Sequence, residues 1–233
     1  MIGIIVAMDS EFNKEFKIKK NCHIHVSTNQ KFYIFNCLKQ SFILVFCSVG
    51  KANAAATTIN LIKTFPVKKI INLGSAGSNY EPIKHNDYVV ASSFQYLDVD
   101  VTAFGYEIGQ IPKEKKLFKA CSYLNENLIH LLISKHFNYH HGPIGSLDTF
   151  INQDNLHLFL EKGINDLCCF DMEATAIAQI CDQQNVPFAA VKIISDKIND
   201  SNSNQNQFKN NLKIIADNLT DLFFNIIDHF NEI

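Results

Sequence analysis

Not one arginine occurs in the 233 residues, so all 21 Lys-plus-Arg positions are lysines. A chain without a guanidinium fork has no side chain that grips phosphate or carboxylate bidentately. A strong charge of either sign is missing too. The formal net charge is −2, which gives no electrostatic ground for a nucleic-acid partner. No apolar run approaches the roughly 20 residues needed to cross a bilayer. Met1 leads straight into the strand-like Ile2 to Ala7, with no charged segment before it. The expectation is a cytoplasmic protein with neither signal peptide nor membrane partner.

Paired-cysteine and metal-binding spacings are also absent. The seven cysteines (Cys22, Cys37, Cys47, Cys121, Cys168, Cys169 and Cys181) are odd in number and include no C-x-x-C. Most lie in apolar runs and read as reduced, buried small hydrophobes. Nine histidines include His23, His25 and the pair His140-His141, but no H-E-x-x-H or Cys/His zinc pattern. No metal is expected. Gly50-Lys51 lacks the earlier glycine and the following Ser/Thr of a P-loop. Gly74-Ser75-Ala76-Gly77 falls short of the G-x-G-x-x-G fingerprint, so no nucleotide cofactor is expected. It reads as a tight strand-to-loop turn where a ligand or backbone comes close.

What is present suits one α/β core: 47% of residues are hydrophobic and 19% charged. No repeat, linker or composition break divides the chain, so residues 1–233 are expected to form a single domain. Buried strands are expected at Gly3–Ala7, Phe32–Cys37, Phe42–Cys47, Lys68–Leu73, Tyr88–Ser92, His140–Leu147 and Phe188–Ile194. Helices are expected at Ala54–Lys63, Lys115–His136, Gln153–Lys162 and Ala174–Cys181. The last helix carries Phe208, Leu212, Ile215, Leu219, Leu222 and Ile226 on one apolar face and reads as core packing alone. Asp98–Pro112 reads as irregular, and the polar Asn199–Gln207 as a mobile loop. Strands alternating with helices imply a mostly parallel or mixed sheet with helices on both faces. The strand ends then bring Glu11, Ser75, Phe150, Glu173 and Asp196 toward one rim.

The chain converges on Phe170–Asp200. Asp171-Met172-Glu173 precedes an Ala-rich helix, and a buried strand runs into Ser195-Asp196. Open α/β sheets place ligand groups at such strand ends. The same acids would also serve as helix N-terminal residues and turn caps. Spacing alone leaves both readings open.

Five segments together carry a resemblance: Gly3 to Glu11 (GIIVAMDSE), Asn72 to Gly77 (NLGSAG), Asp98 to Tyr106 (DVDVTAFGY), Asp171 to Ala176 (DMEATA) and Ile194-Ser195-Asp196. In this order and spacing the chain resembles the 5′-methylthioadenosine/S-adenosylhomocysteine nucleosidases, from Met1 to the last helix. The Met-Glu-Ala-Thr-Ala and Ser-Asp pieces are shared with the wider purine nucleoside phosphorylase superfamily. The Asp-Val-Thr-Ala-Phe-Gly-Tyr piece and the early Met-Asp-Ser-Glu are more particular to the nucleosidases.

The resemblance implies a phosphorylase-like three-layer sandwich with a mixed central sheet. It also implies hydrolysis of an adenine N-glycosidic bond in methionine salvage, without a cofactor. By the same resemblance Glu11 activates water, helped by Ser75, and Asp196, oriented by Ser195, protonates adenine N7. Glu173 binds the ribose hydroxyls and Met172 packs on the sugar. Phe150 and the Ile151 backbone lie along the base, and Gly77 is among the substrate-binding residues. Val101, Phe104 and Pro112 reach the alkylthio end from a neighbouring subunit, which implies a homodimer. Read without the resemblance, those last residues are loop packing.

Three positions depart from the family pattern. Val6 and Ser48 stand where glycine is usual, and Lys192 where arginine is common. A lysine keeps the charge but not the planar fork, so support around Glu173 or Asp196 is expected to be weaker. A phosphorolytic enzyme, a nucleosidase for another 6-aminopurine nucleoside and a non-catalytic nucleoside-binding module are the competing readings.

Overall fold

Alternation along the first strand shows how the layers arise. In the computed structural model, which describes residues 1–13, 22–160, 162–198 and 203–232, β1 (Ile2–Val6) is buried throughout. Ile2, Ile4 and Val6 enter one core and Ile5 the other. Successive side chains of a strand point to opposite faces, so the sheet must be covered on both.

The chain continues through β2 (His23–Ser27), β3 (Gln30–Asn36), β4 (Ser41–Phe46), α1 (Lys51–Thr64), β5 (Lys69–Ser78), β6 (Tyr88–Tyr96) and β7 (Phe118–Lys119). It ends with α2 (Ser122–Ser134), β8 (Tyr139–Ser146), α3 (His157–Leu160), β9 (Cys169–Asp171), α4 (Ala174–Gln183), β10 (Phe188–Lys197) and α5 (Asn204–Glu232). Leu128 of α2 and Leu219 and Phe223 of α5 pack on Ile4, Leu44, Ile71 and Val191. Leu61 of α1 and Ile177 of α4 pack on Ile5, Ile43, Ile70 and Ala190 across the sheet. The expected mixed sheet between two helical layers is present.

The pairing of β5 positions the site. β1 runs parallel to it only from Ile2↔Lys69 to Ile5↔Asn72. On the other edge β10 follows β5 in parallel as far as Lys197↔Ser78. Beyond Asn72 the edge that β1 leaves is touched again only at Gly77↔Phe170, by β9. The backbone groups in between need other partners, and side chains supply them. On β10 the register shifts between Ile194 and Asp196. A bulge of this kind re-aims the side chain beside it.

Five expectations change. Gly74 to Gly77 lies inside β5 and makes no turn. The Lys115–His136 segment begins its helix only at Ser122, because Phe118–Lys119 pairs with β6 as a short edge strand. In Gln153–Lys162 only His157–Leu160 is α-helical. The Asn152 side chain accepts from the N–H groups of Asp154 and Asn155, a local bond that competes with a helix start. Of the polar Asn199–Gln207 segment, residues 199–202 lie outside the described residues, and Asn204 to Gln207 is already helical. The cysteines are all free, but Cys22, Cys37, Cys121 and Cys168 are half-buried and not fully enclosed. No helix among the described residues is long and apolar enough to cross a membrane.

Candidate active site

A cavity of about 520 Å³ opens at the carboxyl ends of β1, β5, β9 and β10. Glu11, Ser75, Gly77, Phe150, Ile151, Met172, Glu173, Ser195 and Asp196 all line it. A wider groove of about 1170 Å³ lies between α1 and the β2–β3 hairpin, but among the described residues its one lining carboxylate is Asp9. It lacks the paired acids that the smaller cavity has. Among the described residues no group of His, Cys, Asp and Glu is arranged to hold a metal ion.

Glu11 closes a single 3₁₀ turn after β1 and is 1% exposed. Its Oε1 accepts from the Ser75 N–H at 2.7 Å and the Ser75 hydroxyl at 2.6 Å. Its Oε2 accepts from the Met8 N–H at 3.1 Å. The vacated edge of β5 is therefore satisfied by a carboxylate. Gly74 allows the approach, because a Cβ there would lie 3.3 Å from Lys192 Nζ and 3.5 Å from Glu11 Oε1. Val6, one of the three departures, is wholly buried within the sheet.

Asp171 and Glu173 divide the two roles that spacing left open. Asp171 caps α4, accepting from the N–H of Ala174 at 3.0 Å and of Glu173 at 3.3 Å. It also takes the Ser146 hydroxyl at 2.5 Å and pairs with Lys192 Nζ at 2.7 Å, both charges being buried. Glu173 makes no cap bond. Its side chain turns to the cavity and accepts from the Gly50 N–H at 2.9 Å. Gly50, at φ +103°, aims that N–H just ahead of α1, where a helix start favours an anion.

Burial, then the nearby Asp171, pushes the Glu173 carboxyl up to about 7, against the pull of Lys192 and the Gly50 N–H. Burial alone would lower Lys192, but Asp171, Glu173 and Glu11 hold its ammonium above the usual lysine range. Lys192 therefore supports the Glu11–Glu173 end, and its ion pair is with Asp171 rather than with Asp196. Cys47 nearby is no nucleophile, because burial pushes its thiol up to about 12.

Asp196 is held differently. Its Oδ1 accepts from the Ser195 hydroxyl at 2.6 Å and its Oδ2 from the Asn204 amide at 3.0 Å. Burial raises its pKa above the ordinary aspartate value, while the Ser195 and Asn204 bonds and His85 pull the other way. Phe150 is 41% exposed at the mouth of the cavity, and Ile151 is buried behind it.

Val101, Phe104 and Pro112 do not line this cavity. Phe104 is 81% exposed, on a 3₁₀ turn at Thr102–Phe104. Sequence reasoning found the last helix but missed its part in the site: the first turns of α5 bring Asn204 to Asp196 and Gln205, Phe208 and Lys209 to the cavity lining. Phe208 sets its ring edge-on to Phe150 at 6.4 Å. The apolar period of α5 was legible; that its first residues leave the core for the cavity was not.

Residues 1–228 match the family model described as the phosphorylase superfamily. A 5′-methylthioadenosine/S-adenosylhomocysteine nucleosidase of Staphylococcus haemolyticus is 37% identical over 200 residues, covering 85% of this chain and 87% of the relative. Among solved structures, the nucleosidase of that name from Neisseria meningitidis, in complex with methylthio-immucillin-A, superposes with a TM-score of 0.88 at 28% identity. That match covers 97% of each chain. An S-adenosylhomocysteine nucleosidase from Streptococcus pyogenes, in complex with 5-methylthiotubericidin, gives 0.86 at 27% identity, over 97% of this chain and 95% of the other.

Proposed function

The chain belongs to the phosphorylase superfamily and, within it, to the 5′-methylthioadenosine/S-adenosylhomocysteine nucleosidases, and we propose that Glu11 activates water and Asp196 protonates the leaving adenine. The reaction is hydrolysis of the N-glycosidic bond of 5′-methylthioadenosine and S-adenosylhomocysteine. The C1′–N9 bond breaks with its electron pair passing to the base, and N7 takes a proton from Asp196. Water adds its oxygen to C1′ and gives a proton to Glu11. Adenine leaves, with methylthioribose or S-ribosylhomocysteine as the other product.

One observation carries this reading: two acids held in opposite ways face one cavity. Glu11 accepts three hydrogen bonds from one side, which fix its two oxygens in the cavity wall where a base for water has to stand. Asp196 is raised by burial, the direction a general acid requires. Glu173 and Met172 are assigned to the ribose, and the carboxylates there favour an oxocarbenium-like transition state. Phe150 offers a stacking face and the Ile151 backbone an edge to the base, beside Gly77.

Phosphate is a poor nucleophile for this site. The cation beside Glu11 is Lys192, which is committed to Asp171 at 2.7 Å, and Glu11 and Glu173 would repel an anion. Exposure of Phe104, together with the position of Val101 and Pro112 outside the cavity, supports a homodimer in which the partner completes the alkylthio end. Residues 1–233 act as one nucleosidase domain.

The test is adenine release from 5′-methylthioadenosine in phosphate-free buffer, with Glu11→Gln alongside. Release by the parent and a loss of at least about 100-fold in the variant is expected. Release that appears only on adding phosphate would replace hydrolysis with phosphorolysis.

A further inference from the structure

The start of α1 is joined to both ends of the cavity. The helix has no acid in its own first turn, and Gly50 before it offers no side-chain cap. Two carboxylates from other elements take its first N–H groups. The Gly50 N–H donates to Glu173 at 2.9 Å, and the Lys51 N–H to Asp148 Oδ1 at 2.9 Å. Glu173 is the acid assigned to the ribose. Asp148 stands at the root of the loop that carries Phe150 and Ile151, assigned to the base. Two consecutive N–H groups therefore reach toward the two halves of one nucleoside.

The Lys51 side chain closes this arrangement. A cation at the first residue of a helix opposes the macrodipole, so this one needs compensation from elsewhere. Its Nζ donates to both Asp98 oxygens at 2.7 Å and lies 3.7 Å from Asp148 Oδ2. It also sits 5.4 Å from the centroid of the buried Tyr96 ring. Tyr96 is tied in turn to α4 by its hydroxyl, which donates to Gln179 at 2.7 Å. Asp98 Oδ2 accepts the Asp148 N–H at 2.9 Å. One ammonium thus neutralises two carboxylates held side by side. Lys51 and Asp98 are each only 22% exposed, so solvent screens these charges incompletely.

We propose that Lys51 is a positioning residue for the glycosidic cleavage: by clamping Asp98 to Asp148 it fixes the spacing between the Phe150 loop and Glu173. Without the ammonium, Asp98 and Asp148 repel each other and the loop shifts away from the start of α1. A nucleoside engages base and ribose subsites at once and senses their spacing, because small misplacements of a reacting substrate cost rate steeply. Free adenine engages one subsite and does not sense it. This role rests on the assignment of Phe150 to the base and Glu173 to the ribose.

The test compares kcat/KM for 5′-methylthioadenosine with calorimetric adenine affinity in the full chain, in Lys51→Met and in Lys51→Met combined with Asp98→Asn. Lys51→Gln, which also removes the charge, takes the place of Lys51→Met if that variant does not fold. Lys51→Met should lower kcat/KM about tenfold to 100-fold while adenine affinity stays within about twofold of the parent. Asp98→Asn removes one of the opposed charges and keeps an oxygen for the Asp148 N–H, so the double variant should recover most of the loss. Equal losses in kcat/KM and adenine affinity overturn the proposal, because the damage would lie in the Phe150 loop itself. A double variant no better than Lys51→Met, or a Lys51→Met kcat/KM within about threefold of the parent, also overturns it. Absence of adenine release by the parent fails the functional reading, whereas an active parent with an unaffected Lys51→Met fails the clamp alone.

Discussion

The two ends of the cavity hold their acids by different means. At the sugar end Glu11 and Asp171 are fixed by backbone N–H groups and hydroxyls, and a buried lysine lies among them. At the base end Asp196 is fixed by two side chains, one from its own strand and one from the start of α5. The end proposed for the sugar crowds Glu11, Asp171 and Glu173 around one buried lysine, and burial raises the Glu173 carboxyl there to about 7. At the end proposed for the base, the acid has to keep a proton available, and among the described residues its hydrogen-bond partners are the neutral Ser195 and Asn204. A single buried cavity thus separates two carboxylate chemistries by the number and kind of donors at each.

Changing Asp196→Asn is the sharpest way to break the base end. The amide keeps the size and a bond from Ser195 but has no acidic proton to deliver. Turnover should fall by about 10²–10⁴, while adenine binding, read by calorimetry, persists. Turnover within about threefold of the parent would remove Asp196 as the acid.

Lys192→Met tests the sugar end through stability. Lys192 and Asp171 are both buried, and removing one charge of a buried pair typically costs about 3–5 kcal/mol. The hydroxyl and N–H groups around Asp171 remain, which places the loss near the lower value. For a chain of this length the melting temperature should fall by about 6–12 °C. A shift under about 2 °C would mean that the ion pair does not organise this end.

The difference between the ends also explains what was legible in the chain. Glu11, Glu173 and Asp196 sit at or just past strand ends, so hydrophobic patterning located them and the rim they share. That Asp171 caps α4 while Glu173 faces the cavity required the backbone at Gly50, whose φ no composition reveals. Asn204 was illegible because it lies among Ser203, Gln205, Asn206 and Gln207, polar neighbours with equal claim. For Lys192 the sequence suggests only weaker support around Glu173 or Asp196. Its actual partner, Asp171, depended on how β10 and β9 converge across β5. Small residues such as those through Gly74 mark turns in a sequence, but here they keep a strand open to side chains.

The Glu173 carboxyl gives a prediction in pH. Its folded pKa of about 7 lies above the ordinary glutamate value, chiefly because of burial. The folded state therefore binds the extra proton between about pH 4.5 and about pH 7. Stability from this group is complete below that window and is lost as pH rises through it. Glu173→Gln keeps an acceptor for Gly50 and removes the titration. It should raise stability by roughly 2–3 kcal/mol at pH 8 and by little at pH 4, seen as melting temperatures that converge in acid. An equal gain at both pH values would assign the effect to packing.

The smallest effect belongs to Ser48, next to the turn that delivers Gly50. Ser48 adopts φ +67° without being glycine, and a side chain in that region costs roughly 1–2 kcal/mol. Its N–H is bonded to the Ala7 carbonyl at 2.8 Å, so the strained geometry is held by the same strand ends that hold Glu11. Ser48→Gly removes the strain but adds freedom to the unfolded chain, which offsets about half the gain. A net stabilisation of about 0.5 kcal/mol is expected, a melting shift of about 1–2 °C. If instead the variant melts lower while the Gly50–Glu173 contact is kept, the serine contributes a bond that outweighs its strain. The sugar end would then be stiffened by this departure from the family pattern.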